Sequence, residues 1–290
     1  MTSVSKKKHS FGRNKRTKLA NTILQILLLF VSAVYFYPII LMCINAVKSR
    51  REMALSVLTL PKKIIWSNIA YVFNDIDYLT LFRNTMVVTV IGVVGIVSIS
   101  SIAAYMLSRR STTRYAKVTR AVLIAPMLIP FQTFMVTLLK VMMGLHLTGS
   151  IWGLGIQYWG FGVPMAVFIY YNFMKTVPKE IDESAKIDGA STLRSFVSII
   201  FPLLRPVTIT IIVLNVMWIW NDFVLPLLMV NSRSSTRTLV LGAYGYIGQF
   251  VTQWDYALCA MAMAAIPSII VFLILQKYIV DGVVAGSIKG

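Results

Sequence analysis

The sequence predicts an all-α membrane protein with six transmembrane helices and both termini in the cytosol. Three observations carry that expectation. Apolar residues make up 57% of the 290-residue chain and charged residues only 13%, and mean hydropathy is +0.75. A soluble domain carries about 25% charge, and a disordered chain is poor in aliphatics. Six runs reach the ~20 apolar residues that a spanning helix needs, near 20–46, 84–107, 121–143, 151–174, 205–229 and 256–279. With the N-terminus inside, nineteen Lys and Arg fall on the cytosolic side and eight outside, the asymmetry that orients membrane proteins.

The elements follow in chain order. Residues 1–18 hold Lys6, Lys7, Lys8, Arg13, Lys15, Arg16 and Lys18 with no acid between them. In a soluble chain, such an arm and a net charge of +18 would point to nucleic acid. Beside a membrane span they read as a basic cytosolic tail that fixes topology, with no nucleic-acid partner. Residues 19–290 form one membrane domain. Its first run, Leu19 to Val47, is uncharged, far longer than the apolar core of a signal peptide, and is open to a kink at Pro38. Loop 47–83, with Lys48, Arg50, Arg51, Lys62, Lys63 and Arg83, is long enough to fold as a small external segment. The second span offers Gly92, Gly95, Ser98 and Ser101 for close helix contact. Lys140 in the third is placed to snorkel to the outer interface. The fifth is interrupted by Pro206 and Pro226, which membrane helices tolerate where neighbours satisfy the freed carbonyls. The uncharged, Gly-containing stretch 238–254 reads as part of an outer loop, open to a re-entrant course, and not a seventh span.

One cytosolic loop, 178–206, is unlike the rest. It is polar and amphipathic for the length of one short helix. Pro178 suits a first turn, and Glu180, Asp182 and Glu183 place negative charge at the positive end of the dipole. Lys186 stands at pairing distance from Asp182 or Glu183. Asp188 and Gly189 end the helix, because Gly takes the left-handed cap without strain, and Ser191 caps the next, which runs toward Pro202. Helix, sharp turn and helix on a cytosolic face suit docking into a groove on a partner, or an interfacial helix with no partner at all.

The residues ESAKIDGAS followed by Pro202 resemble the EAA loop of ABC importer permeases. Glu183, Ala185, Gly189 and Pro202 match the family pattern, and Asp188-Gly189-Ala190 its sugar-permease version. Ser184 stands in place of an Ala and Phe201 where Leu is frequent. MWIWNDFVLPLLMV (217–230) and the C-terminal LQKYIVDGVVAGSIKG (275–290) are similar to the carbohydrate, maltose-type branch. The resemblance spans about residues 20 to 290. It implies the fold of a type I importer permease and a subunit that is half of the translocation pathway. It further implies a second, non-identical permease, two ATPase subunits docking from the cytosol and an extracytoplasmic solute-binding protein. Glu183, Ala185, Asp188 and Gly189 would then couple to the ATPase.

Two further groups are candidates. Trp218, Trp220, Asn221 and Asp222 lie near the outer end of the fifth span. Aromatics stack on sugar rings, Asn bonds hydroxyls, and an intramembrane acid is a functional hypothesis by default; interfacial anchoring with a capped helix end is the bland alternative. The loop 231–255 resembles the family loop that reaches the binding protein, so Tyr244, Tyr246, Gln249 and Gln253 are candidates for contact with it or with the sugar; a packed loop with interfacial aromatics explains them equally well.

The chain has no GxxxxGK[ST] phosphate loop, so ATP and Mg belong to the partner ATPase and no cofactor is expected here. Cys43, Cys259, His9 and His146 do not cluster, which argues against a disulfide framework or metal centre. The expected function is import of a carbohydrate, in particular an oligosaccharide, across a bacterial or archaeal cytoplasmic membrane. A non-sugar solute such as a polyamine or glycerol phosphate is the near alternative. A stand-alone secondary transporter is the remote one, since Asp222 would be its only coupling acid within a span.

Overall fold

The computed structural model describes the backbone of residues 15–248 and 252–287, and the side chains of 20–248 and 252–276. Among the described residues there is no strand beyond a lone antiparallel bridge between Ile247 and Thr252. The fold is all-α. Residues 1–14 of the predicted tail lie outside the described residues, and its last residues, from Lys15, already belong to the first helix.

That helix, α1 (Lys15–Ala46), runs through Pro38. Every residue from 20 to 40 is exposed, although the stretch is almost wholly apolar. Nothing among the described residues covers it, which is the arrangement of a helix whose solvent is lipid or another subunit. Loop 47–83 is folded, as its length leads one to expect, and contains α2 (Arg50–Leu55) and α3 (Ser67–Asp75). The second span, α4 (Tyr78–Arg109), is longer at both ends than the sequence suggests and takes in Arg83.

The third predicted span is not one helix. It is α5 (Arg114–Ile124) with a 3-10 turn to Leu128, followed by α6 (Phe131–Gly144), and the two parts meet at 104°. Pro130 sits in the break with extended backbone, ψ 133°. It has no N–H to give the helix and bars the preceding residue from helical geometry. The fourth span, α7 (Ile151–Met174), has the expected bounds.

Loop 178–206 folds into α8 (Glu180–Ile187), α9 (Thr192–Ser195), a π-turn to Ile200 and α10 (Phe201–Leu203). The fifth predicted span is also divided. A 76° bend at Leu204 precedes α11 (Arg205–Asn221), and the chain breaks again at Asp222 before α12 (Val224–Val230). Outside it, α13 (Leu239–Ala243) and a 3-10 turn at Tyr244–Tyr246 lead to α14 (Trp254–Ser287).

Among the described residues, three helices are long and apolar enough to cross a membrane, or up to five if each bent pair is one span. The 24 residues of α7 are ~36 Å long; one face, with Leu154, Tyr158 and Tyr170, is buried on protein, while Trp152, Ile156, Met165 and Phe168 stay exposed.

The core is built on α4 against α7. A Cβ on Gly92 would lie 3.3 Å from Tyr158 Cβ in α7 and 2.7 Å from Ile219 Cδ1 in α11, and one on Gly95 would run into the Trp159 indole. Two helices approach this closely only where one presents no side chain. Ser98 is exposed and does not join the contact; Ser100 and Ser101 are buried there. A second cluster caps the outer end, where Ala46, Val72, Leu81, Trp220, Leu239 and Cys259 meet. The ion pair Arg50–Asp255 (3.3 Å) ties α2 to α14.

Candidate functional site

The eight residues of α8 are too few to be stable alone, so their neighbours hold them. Its inner face carries Ala185, 4% exposed, and Asp182, 6% exposed. Asp182 does not pair with Lys186. Its Oδ2 lies 2.7 Å from Arg109 Nε, and its Oδ1 accepts the Tyr105 hydroxyl at 2.6 Å. A buried carboxylate takes the cation that reaches it as an ion pair, and Lys186 stays on the solvent side, without an ion pair among the described residues.

The outer face of α8 is open. Glu183 and Asp188 are exposed, and Ile187 is 87% exposed. Gly189 ends the helix at φ +79°, and a Cβ there would meet nothing within 4 Å. Its role is purely one of backbone: it supplies the left-handed turn. The Ser191 hydroxyl accepts the Arg194 N–H at 3.3 Å and starts α9 as expected. Leu193 and Val197 beyond it are 69% and 55% exposed. Glu183, Asp188 and Gly189 thus share a surface that nothing among the described residues covers, whereas Ala185 serves the packing beneath it.

The Trp218–Asp222 group divides. Trp220 is 2% exposed and packs edge-on against Phe82 at 5.6 Å, within the second core cluster. Asn221 donates its amide to Met217 O at 2.8 Å. Trp218 and Asp222 line a cavity of about 230 Å³ together with Phe131, Phe161, Val224 and Leu225. Asp222 is held there by two bonds: Oδ2 accepts the Tyr158 hydroxyl at 2.8 Å, and Oδ1 accepts the Val224 N–H at 3.0 Å. A neighbouring cavity of about 430 Å³ shares Phe131 and Phe161. Sequence reasoning missed these two phenylalanines. Phe131 comes to the cavity only because the chain breaks at Pro130.

In the outer loop, Tyr244 is 42% exposed and its ring lies 4.4 Å from that of Phe223. Tyr246 is buried and donates to Asp75 Oδ2 at 2.7 Å. Burial, then that bond, pushes its hydroxyl well above the ordinary tyrosine pKa. The charge of Asp75 likewise raises Tyr71. Gln253 is exposed, and its backbone N–H bonds Tyr246 O at 3.1 Å; Gln249 lies outside the described residues. Of this group, Tyr244 and Gln253 are accessible, and Tyr246 is a structural anchor.

Apolar helices, two of them broken beside an aromatic cavity, with a short held helix and an uncovered turn at one end, define a membrane transport subunit. The sequence profile described as "binding-protein-dependent transport system inner membrane component" matches residues 96–284. The chain belongs to that family, the permeases of ABC importers, and is a multi-pass protein of the cytoplasmic membrane. It is 34% identical over 276 residues to the probable starch degradation products transport permease AmyC of Thermoanaerobacterium thermosulfurigenes, covering 95% of this chain and 99% of that one. It is 32% identical to the melibiose/raffinose/stachyose import permease MelC of Bacillus subtilis, covering 96% and 100%. The multiple sugar-binding transport permease MsmG of Streptococcus mutans is 37% identical over 72% of this chain and 76% of its own. The fold is shared with a chain of a bacterial ABC transporter that imports the acidic polysaccharide alginate, with a TM-score of 0.76 and 21% identity over 96% of this chain and 99% of that one.

Proposed function

We propose that the chain forms half of the translocation pathway of an ATP-driven importer for a carbohydrate, and specifically for an oligosaccharide. The observation that carries this reading is similarity along nearly the full length to permeases named for starch products and for melibiose, raffinose and stachyose. The Trp218–Phe161–Phe131 lining around Asp222 supports it, because aromatic faces suit the apolar faces of sugar rings.

In this reading the chain spans the membrane six times with both termini cytosolic: α1, α4, the bent α5–α6 pair, α7, the bent stretch from α9 to α11, and α14. The basic tail 1–18 fixes the orientation. Lipid and a second, non-identical permease cover the apolar surface of α1. Two ATPase subunits, which hold ATP and Mg, dock on loop 178–206 through Glu183, Asp188 and Gly189. The permease has no nucleotide chemistry of its own. An extracytoplasmic solute-binding protein delivers the sugar near Tyr244 and Gln253.

The test is purification with a tag on this chain. An ATPase and a second permease are expected to come with it in detergent. Uptake of a labelled oligosaccharide into proteoliposomes is expected to need an intact phosphate loop in that ATPase. Transport by this chain alone, or competition by polyamine or glycerol phosphate but not by sugars, would overturn the reading.

A further inference from the structure

We infer that α4 is the rod that links the ATPase-facing helix to the outer loop, and that Arg109, Tyr105 and Asp182 form the clasp at its cytosolic end. The inference rests on the reading of α8 as the helix that docks on the ATPase.

At the cytosolic end, one turn of α4 holds everything around the docking turn. Tyr105 and Arg109 are four apart, so both face one side of the helix. Between them they take both oxygens of Asp182, at 2.6 Å and 2.7 Å. Arg109 Nη1 also donates to Val177 O at 3.1 Å, in the segment that leads from α7 into α8. The Tyr105 ring packs at 5.2 Å on Phe196, beyond the Gly189 turn. The clasp therefore grips the entry to α8, α8 itself and the helix after it. Its charged partners are nearly enclosed, with side-chain exposures of 15% and 8%. A buried pair of this kind cannot slide as an exposed one does, because separating the partners leaves a charge without solvent.

At the outer end, the same helix holds the loop that precedes α13. Asn84 Nδ2 donates to Ser235 O at 2.8 Å and to Arg237 O at 3.1 Å, and the Leu239 N–H donates to Thr85 Oγ1 at 2.8 Å. Asn84 and Thr85 are each 1% exposed. Between the two ends α4 is an unbroken 32-residue helix, ~48 Å long, while the third and fifth predicted spans are both broken. A push on α8 reaches loop 234–239 through one stiff element with a buried polar grip at each end. Arg109, Tyr105, Asp182 and Asn84 are positioning residues, not contacts of solute or nucleotide.

The test uses the whole complex, with its ATPases, second permease and binding protein, in proteoliposomes. ATP hydrolysed per solute imported is the readout, since a residue that only supports folding lowers both together. Asp182→Asn and Arg109→Gln are expected to keep the ATPase bound in detergent and to raise that ratio about tenfold, the size of a usual coupling term. Tyr105→Phe, which removes one hydroxyl, should raise it less. The exchange Arg109→Asp with Asp182→Arg should bring it back toward the wild-type value. Asn84→Ala should raise the same ratio from the other end; a normal ratio there overturns the outer half of the link. Normal ratios in the clasp variants, or loss of the bound ATPase in all of them including Tyr105→Phe, overturn the clasp. A wild-type complex that carries no ATPase overturns the proposed function instead.

Discussion

The hydroxyl of Tyr158 in α7 donates to Oδ2 of Asp222 at 2.8 Å, at the point where the predicted fifth span breaks. Asp222 has extended backbone, ψ 136°, and its other oxygen caps Val224. One carboxylate thus ends α11, starts α12 and anchors both to α7. The Trp218 ring stands edge-on to Tyr158 at 5.3 Å, so the anchor is also the wall of the cavity.

Removing the Tyr158 hydroxyl should therefore loosen the wall without emptying it. Tyr158→Phe is expected to cost about 1 kcal/mol of stability, read from thermal unfolding in detergent. Asp222→Ala loses the cap as well and should cost more. If the cavity carries solute, Asp222→Asn should weaken uptake by more than its loss of stability explains; an unchanged KM would remove Asp222 from the pathway.

Gly189→Val tests the turn. No atom lies within 4 Å of the added Cβ, but φ is +79°, a geometry that costs an L-residue about 1–2 kcal/mol. The chain should still insert into the membrane, with ATP-driven uptake abolished. Gly189→Ala should retain more uptake, as should Gly189→Asn, because Asn tolerates the left-handed region. Normal uptake with Val would show that the turn does not dock.

Gly95 is a test of packing alone. A Cβ there strikes Trp159, whose indole N–H donates to Ile91 O at 2.9 Å. Gly95→Ala is expected to destabilise by about 1–3 kcal/mol, and Gly95→Leu to prevent folding. Both should show first as lower yield of folded protein in detergent, ahead of any change in solute selectivity.

Tyr246 gives a pH test on the outer face. Its hydroxyl titrates above the ordinary value because burial and the bond to Asp75 favour the neutral form. A raised pKa in the folded state means stability that is complete below the unfolded value, about 10, and is lost as pH rises beyond it. Wild type should therefore lose stability steeply in strong alkali, while Tyr246→Phe, less stable at neutral pH, should lose less there. Equal alkaline losses in the two proteins would count against the Tyr246–Asp75 link.

Much of the local structure was legible in sequence, because it depends on neighbours in the chain. The bounds of α7, the left-handed Gly189 and the Ser191 cap all followed from residue type and spacing. The small-residue stripe did so in part: Gly92 and Gly95 make the contact, and Ser98 faces away. The partner of Asp182 was not legible. Local spacing offered Lys186, four residues on, whereas Arg109 and Tyr105 stand far back in the chain, the latter 77 residues away. An Arg four residues after a Tyr at the end of a span was the only available signal. The burial of Trp220 was not legible for a similar reason, since hydropathy does not tell a core aromatic from an exposed one.

Sequence alone determined that the chain is a membrane permease with a polar, Gly-ended turn. Hydropathy, charge and helix caps act over a few residues, and a linear reading contains them. Only the tertiary structure decided which apolar runs stay straight and which break, which face of α8 is open, and which aromatic residues share a cavity with Asp222. Those outcomes depend on groups brought together across the fold, where a buried carboxylate takes whichever donors reach it.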